Sequence, residues 1–110
     1  PAVSARQLVG QPANPGFARG KARLIREPDD LFRVESGEVL VVDAVEPEMT
    51  FVVPLAAAIV ERRGGMLIHG AIIAREYGLP CVTGIPAALD SIPEGQEITV
   101  DGYLGIVILN

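Results

Sequence analysis

The chain has 110 residues, 49% hydrophobic and 21% charged, and its 9 Lys+Arg against 14 Asp+Glu leave a formal charge of −5. That length suits one domain, residues 1–110, and the composition is globular rather than disordered. The acidic balance argues against a nucleic-acid partner, which needs a basic face to displace counterions from phosphates. One Cys rules out an internal disulfide framework and a Cys-rich zinc site, and points to a reducing, cytoplasmic setting. No apolar run reaches the roughly 20 residues of a bilayer-spanning helix, so no membrane partner is expected. The longest run, Phe51 to Val60, contains Pro54 and stops at Glu61-Arg62-Arg63. The N-terminus lacks the layout of a secretory signal. It begins at Pro1 without a Met, so the chain reads as processed or as part of something longer.

In chain order, residues 1–20 read as loop, punctuated by Gly10, Pro12, Pro15, Gly16 and Gly20. A first strand is predicted over Lys21–Ile25, ended by Pro28-Asp29-Asp30, and a buried β-branched strand over Val39–Val42. One short helix is expected between Glu46 and Pro54, then a buried strand over Ala57–Val60. The clearest helix is His69–Tyr77, closed by Gly78 with Pro80 beyond it. Cys81–Thr83 reads as a strand and Pro86–Leu89 as a helical turn. A hairpin closes the chain, with Glu97–Val100 and Leu104–Leu109 joined at Asp101-Gly102 by a turn that needs positive φ angles. Short buried strands alternating with one good helix predict a mixed α/β domain with some parallel pairing.

The chemistry is concentrated between Gly64 and Pro80. A strand feeds Gly64-Gly65, and His69, the single histidine, falls at the mouth of the helix. Free backbone N–H groups and the positive end of the helix dipole coincide there. That environment disfavours protonation of an imidazole, keeping a lone pair available as a nucleophile. It also favours an anion such as a phosphoryl group on or near the ring. Gly64, Gly65 and Gly70 remove side chains that would obstruct a donor. A lone His at a helix start also serves as a cap or as a half-buried packing residue. No general base is evident nearby, and a solitary His among apolar neighbours makes a poor metal site, so no metal is expected here. Among functional roles, nucleophilic catalysis or phosphoryl carriage suits His69 best.

This stretch closely resembles the phosphohistidine signature of the mobile, swivelling domain of phosphoenolpyruvate-utilising enzymes. The pattern is carried by Gly64, Gly65, His69, Gly70, Ala71, Ala74, Arg75, Gly78 and Pro80. It extends outward to Pro15-Gly16 and Gly20, to Glu38–Val42, and to Val100-Asp101-Gly102 with Gly105. The resemblance implies a compact three-layer β/β/α fold and a phosphoryl carrier of the phosphoenolpyruvate synthase, pyruvate phosphate dikinase or rifampicin phosphotransferase type. In such a carrier, His69 accepts phosphate on Nε2 at one site and delivers it at another. The implied partners are an ATP-grasp nucleotide-binding domain and a phosphoryl-acceptor domain, with Mg²⁺ and ATP or phosphoenolpyruvate bound there. The chain itself has no P-loop and no room for an ATP-grasp fold, so it is not expected to turn over alone.

Gly65 and Gly70 lead the candidate phosphate-binding set, joined by Arg75 and Thr83. Arg75 lies six positions after His69 and about 120° off its direction on the helix, which also suits pairing with a carboxylate. Thr83 could supply a hydroxyl from the following strand. Many family members carry a hydroxyl residue immediately before the His, whereas this chain has Ile68, preceded by Leu67. That departure keeps open a non-catalytic interaction module that retains the fold without phosphorylation; a ligand-binding domain with a structural His69 is a separate alternative. Arg62 and Arg63 read as a solvated strand end or as a docking element for a phosphate-bearing partner. Cys81 reads as buried and inert.

Overall fold

The computed structural model describes residues 7–64 and 69–110. Among these, eight short strands carry the fold: β1 (Gln7–Val9), β2 (Gln11–Asn14), β3 (Phe17–Ile25), β4 (Val39–Val42), β5 (Ala58–Glu61), β6 (Cys81–Thr83), β7 (Glu97–Asp101) and β8 (Ile106–Leu109). Two helices, α1 (His69–Tyr77) and the single-turn α2 (Ala88–Ser91), join three 3₁₀ segments at Pro28–Arg33, Pro47–Phe51 and Val53–Leu55. The strands form one mixed sheet in the order β1-β8-β7-β3-β4-β5-β6-β2.

Strand β3 is the pivot of this sheet. Its first half runs antiparallel to β7, from Phe17 opposite Asp101 to Lys21 opposite Glu97. Its second half runs parallel to β4, from Ala22 beside Val39 to Ile25 beside Val42. Pairing stays parallel through β5 and β6. Both faces of β4 and β5 are covered, which is why Val-Leu-Val-Val and Ala-Ile-Val-Glu are buried at every position instead of alternating. One set of side chains, Val39, Val41, Ala58, Val60 and Val82, packs with α2 and the C-terminal hairpin through Ala88, Ile98, Val100 and Val107. The alternate set, Leu40, Val42, Ile59 and Cys81, packs with Ala74 of α1 and with Leu31, Met49 and Val53 of the 3₁₀ segments. Burying a Leu40 or an Ile59 contributes roughly 1.5–3 kcal/mol each.

Strands β4 and β6 and helix α1 lie where the sequence predicts them, and β5 is displaced by one residue. Residues 7–20, expected as loop, instead form β1, β2 and the start of β3. These strands are short and have no apolar alternation because β1 and β2 are the two outermost strands of the sheet, mostly exposed on one side. Pro12 is compatible with β2 for the same reason, since an edge strand need not donate from every N–H. The helix expected between Glu46 and Pro54 is two 3₁₀ segments, because Pro54 lacks the N–H that a continuous α-helix would use there. The predicted turn at Pro86–Leu89 appears two residues later as α2.

The closing hairpin also differs from the two-residue turn predicted. Residues 102–105 form the turn, and the positive φ belongs to Gly105 (76°), not Gly102. The Asp101 carboxylate shapes it by accepting from the Tyr103 and Leu104 N–H groups at 2.9 and 3.1 Å. Gly102 is required for space: a Cβ there would sit 1.9 Å from the Asn14 carbonyl oxygen.

Candidate functional site

Helix α1 follows β5 in the chain and starts at the C-terminal edge of the parallel strands, where open α/β sheets commonly place their ligands. Ala74 is fully buried and Ile73 half-buried against the sheet, while Ile72, Arg75, Glu76 and Tyr77 face outward. The far end is closed as the sequence predicts. Gly78 takes a φ of 68°, the Leu79 N–H returns to the Ala74 carbonyl at 2.8 Å, and the Gly78 N–H returns to Arg75 at 3.3 Å. Asn14 of β2 reinforces this end, donating from Nδ2 to the carbonyls of Leu79 (2.8 Å) and Ala74 (3.4 Å). His69 is the first residue of the helix, so it occupies the end with free N–H groups.

The near end rests on a residue that sequence reasoning passed over. Glu61, the last residue of β5, is 1% exposed. Its Oε2 accepts the Val45 N–H at 2.7 Å, and a Cβ on Gly70 would lie 3.1 Å from both carboxylate oxygens. Gly70 therefore lets the first turn of α1 settle directly onto a buried carboxylate. The available signal was a charged residue ending a strand whose other members, Ala58, Ile59 and Val60, are covered on both faces.

Of the other candidates, Thr83 is buried at the end of β6, and the β5–β6 register sets it beside Glu61. The next residue, Gly84, donates to the Arg63 carbonyl at 3.0 Å, and its Cα is 3.1 Å from where a Cβ on Gly64 would be. Gly64, Gly70, Glu61 and Thr83 thus gather at one edge of the sheet. Arg75 does not join them. It is exposed, makes no ion pair among the described residues, and lies about 9 Å further along the helix axis than His69. Gly65 and Ile68 lie outside the described residues.

Arg62 and Arg63 both donate to Asp43, Arg63 at 2.9 Å. The Arg62 hydrogen bond, with help from Arg63, holds the Asp43 carboxyl below its ordinary value. Asp43 and Arg63 border a cleft of about 290 Å³ at the ends of β3 and β4, lined also by Arg26, Glu27, Glu48 and Met49. Cys81 is fully buried, and desolvation, followed by the charge of Glu61, pushes its thiol up to about 12. Among the described residues no three of His, Cys, Asp and Glu gather as a metal site, and no helix is long and apolar enough to cross a membrane.

The family model described as "PEP-utilising enzyme, mobile domain" matches residues 34–105, which span β4 to the closing turn and include the whole of α1. The chain belongs to this family. Within it, the chain is 43% identical over 109 residues to the chondramide synthase of Chondromyces crocatus, covering 99% of this chain and 3% of that protein. It is 42% identical over 100 residues to a probable phosphoenolpyruvate synthase of Archaeoglobus fulgidus, covering 91% and 13%. It is 39% identical over 105 residues to the rifampicin phosphotransferase of Bacillus cereus, covering 96% and 12%. The mobile domain described here therefore spans 3% to 13% of the length of these relatives.

Proposed function

We propose that this mobile domain is a phosphoryl carrier working within a larger phosphotransferase of the phosphoenolpyruvate synthase or rifampicin phosphotransferase kind. The observation that carries the reading is His69 opening α1, whose first turn Gly70 lets settle onto the end of β5, in a chain whose family is that of phosphoenolpyruvate-utilising enzymes. The two apolar cores, one on each face of β4 and β5, support a three-layer β/β/α arrangement beneath it.

In the first step, Nε2 of His69 attacks the phosphorus of the donor, the N–P bond forms, and the P–O bond to the donor's leaving oxygen breaks. In the second, an acceptor oxygen attacks the same phosphorus, the N–P bond breaks, and the neutral imidazole is regenerated. Free N–H groups at the start of α1 stabilise the anionic phosphoryl group between the two steps. Gly70 and Thr83 frame the end of the sheet beneath the helix start in this reading, and Arg75 meets the partner from the outer face of the helix. Mg²⁺ and the nucleotide or phosphoenolpyruvate belong to partner domains, where charge neutralisation lowers the transfer barrier.

The test is incubation of the chain with ³²P-labelled ATP or phosphoenolpyruvate and an ATP-grasp or phosphoenolpyruvate-binding domain of a related enzyme. An acid-labile, base-stable label that is lost in His69→Ala is expected. Label retained in that variant moves the site elsewhere. A wild-type chain that binds the partner but takes no label refutes the carrier and favours the interaction module that Ile68 suggests.

A further inference from the structure

The buried carboxylate under α1 has no part in the two transfer steps. We infer that Glu61 is a positioning residue for His69: fixed by the Val45 N–H and packed against Gly70, it sets where α1 starts and which charge the first turn of that helix meets.

Three observations carry this. Glu61 is 1% exposed, so its carboxylate is desolvated and its field is weakly screened. It is anchored from the chain after β4 by a 2.7 Å hydrogen bond to Oε2. The 3.1 Å separation between an imagined Gly70 Cβ and each oxygen leaves no room for any residue larger than glycine without displacing the carboxylate. Among the described residues Cys81 on β6 faces it as a titratable group, and that thiol is raised partly by Glu61. Arg62 and Arg63, next along the chain, turn away to Asp43. In the first turn of α1, Gly70, Ala71 and Ile72 carry no charge, so His69 is the titratable residue there.

A carboxylate beside the helix start opposes the dipole's positive end. It favours the protonated imidazole and disfavours an anion on it, so it makes phosphorylated His69 a readier donor. The inference rests on His69 being the working residue. It is nevertheless measured without any phosphoryl donor, so its failure and failure of the carrier reading are distinguishable.

The experiment is an NMR pH titration of the 110-residue chain, in which the single His gives ring signals without ambiguity. Glu61→Gln keeps the shape and an acceptor for Val45 while removing the charge. Glu61→Asp keeps the charge. With the fold verified by thermal unfolding, the His69 midpoint is expected to fall by about half a unit or more in Glu61→Gln and to return toward wild type in Glu61→Asp. An unchanged midpoint in folded Glu61→Gln, or a Glu61→Asp midpoint that stays at the lowered value, overturns the inference. Should Glu61→Gln not fold, Gly70→Ala carries the test, since its methyl makes the carboxylate give by a few tenths of an ångström with the charge retained. A smaller fall in the same direction is expected, and an unchanged midpoint overturns the inference.

Discussion

Gly10 stands between β1, which pairs with β8 at one end of the sheet, and β2, which pairs with β6 at the other. Its N–H donates to the Gly105 carbonyl at 2.8 Å. In Gly10→Ala the new methyl would lie 2.3 Å from the Thr83 carbonyl oxygen, 2.7 Å from Ile85 Cγ1 and 3.0 Å from Val82 Cγ1. The first of these is about 0.7 Å short of the 3.0 Å that real Cβ atoms respect, and the atom it meets is backbone. Relief requires moving β6 or withdrawing residues 7–14 from one edge. Overpacking of this kind costs typically 1–3 kcal/mol, and the backbone target puts Gly10→Ala at the upper end, about 3 kcal/mol. Gly37→Ala is the control: its φ of 87° strains an L-residue, but nothing lies within 4 Å of the added carbon. Its expected cost is about 1–2 kcal/mol. Urea unfolding followed by far-UV circular dichroism gives both values. A Gly10→Ala chain within about 0.5 kcal/mol of wild type, or no less stable than Gly37→Ala, would refute the argument that residues 7–14 bridge the sheet through a close contact.

Two further outcomes follow from the charges. Burial raises the Glu38 carboxyl, but the two hydrogen bonds from Arg23, at 3.0 and 2.8 Å, and one from the Glu35 N–H outweigh it and leave it below its ordinary 4.5. Its stabilisation is therefore complete above about pH 4.5 and is lost as pH falls through the lowered value, so the urea midpoint should drop between pH 5 and 3, less steeply in Glu38→Gln. An equal slope in both proteins would remove Glu38 from the account. Cys81, buried with its thiol near 12, should react with a thiol reagent in urea but not in the native chain at pH 8; rapid native labelling would contradict its placement.

The buried parallel centre was legible because local pattern and tertiary burial agree there. Val39–Val42 and Cys81–Thr83 are apolar or β-branched throughout, and α1 has both its periodicity and its Gly78 stop. The His69 motif was legible for the same reason, since its glycines and the helix start are local in sequence. Three features were not. Strands β1 and β2 exist through partners nearly seventy or more residues away, and nothing within Gln7–Asn14 alternates. The closing turn contains an Asp-Gly pair, but its register is set by the Asp101 carboxylate and by Asn14, which demands a glycine at 102. Glu61 looked like the charged stop of an apolar run, because only the docking of α1 onto β5 turns that position inward.

Asn14 gives its amide to two carbonyls at the tail of α1, while Glu61 lies beneath its head. The helix is therefore clamped at both ends to different strands of one sheet, and it has little freedom to tilt or slide by itself. If His69 travels between distant stations, the clamp makes the whole body the vehicle. The hinge for that journey is then not to be sought within the frame that holds the helix.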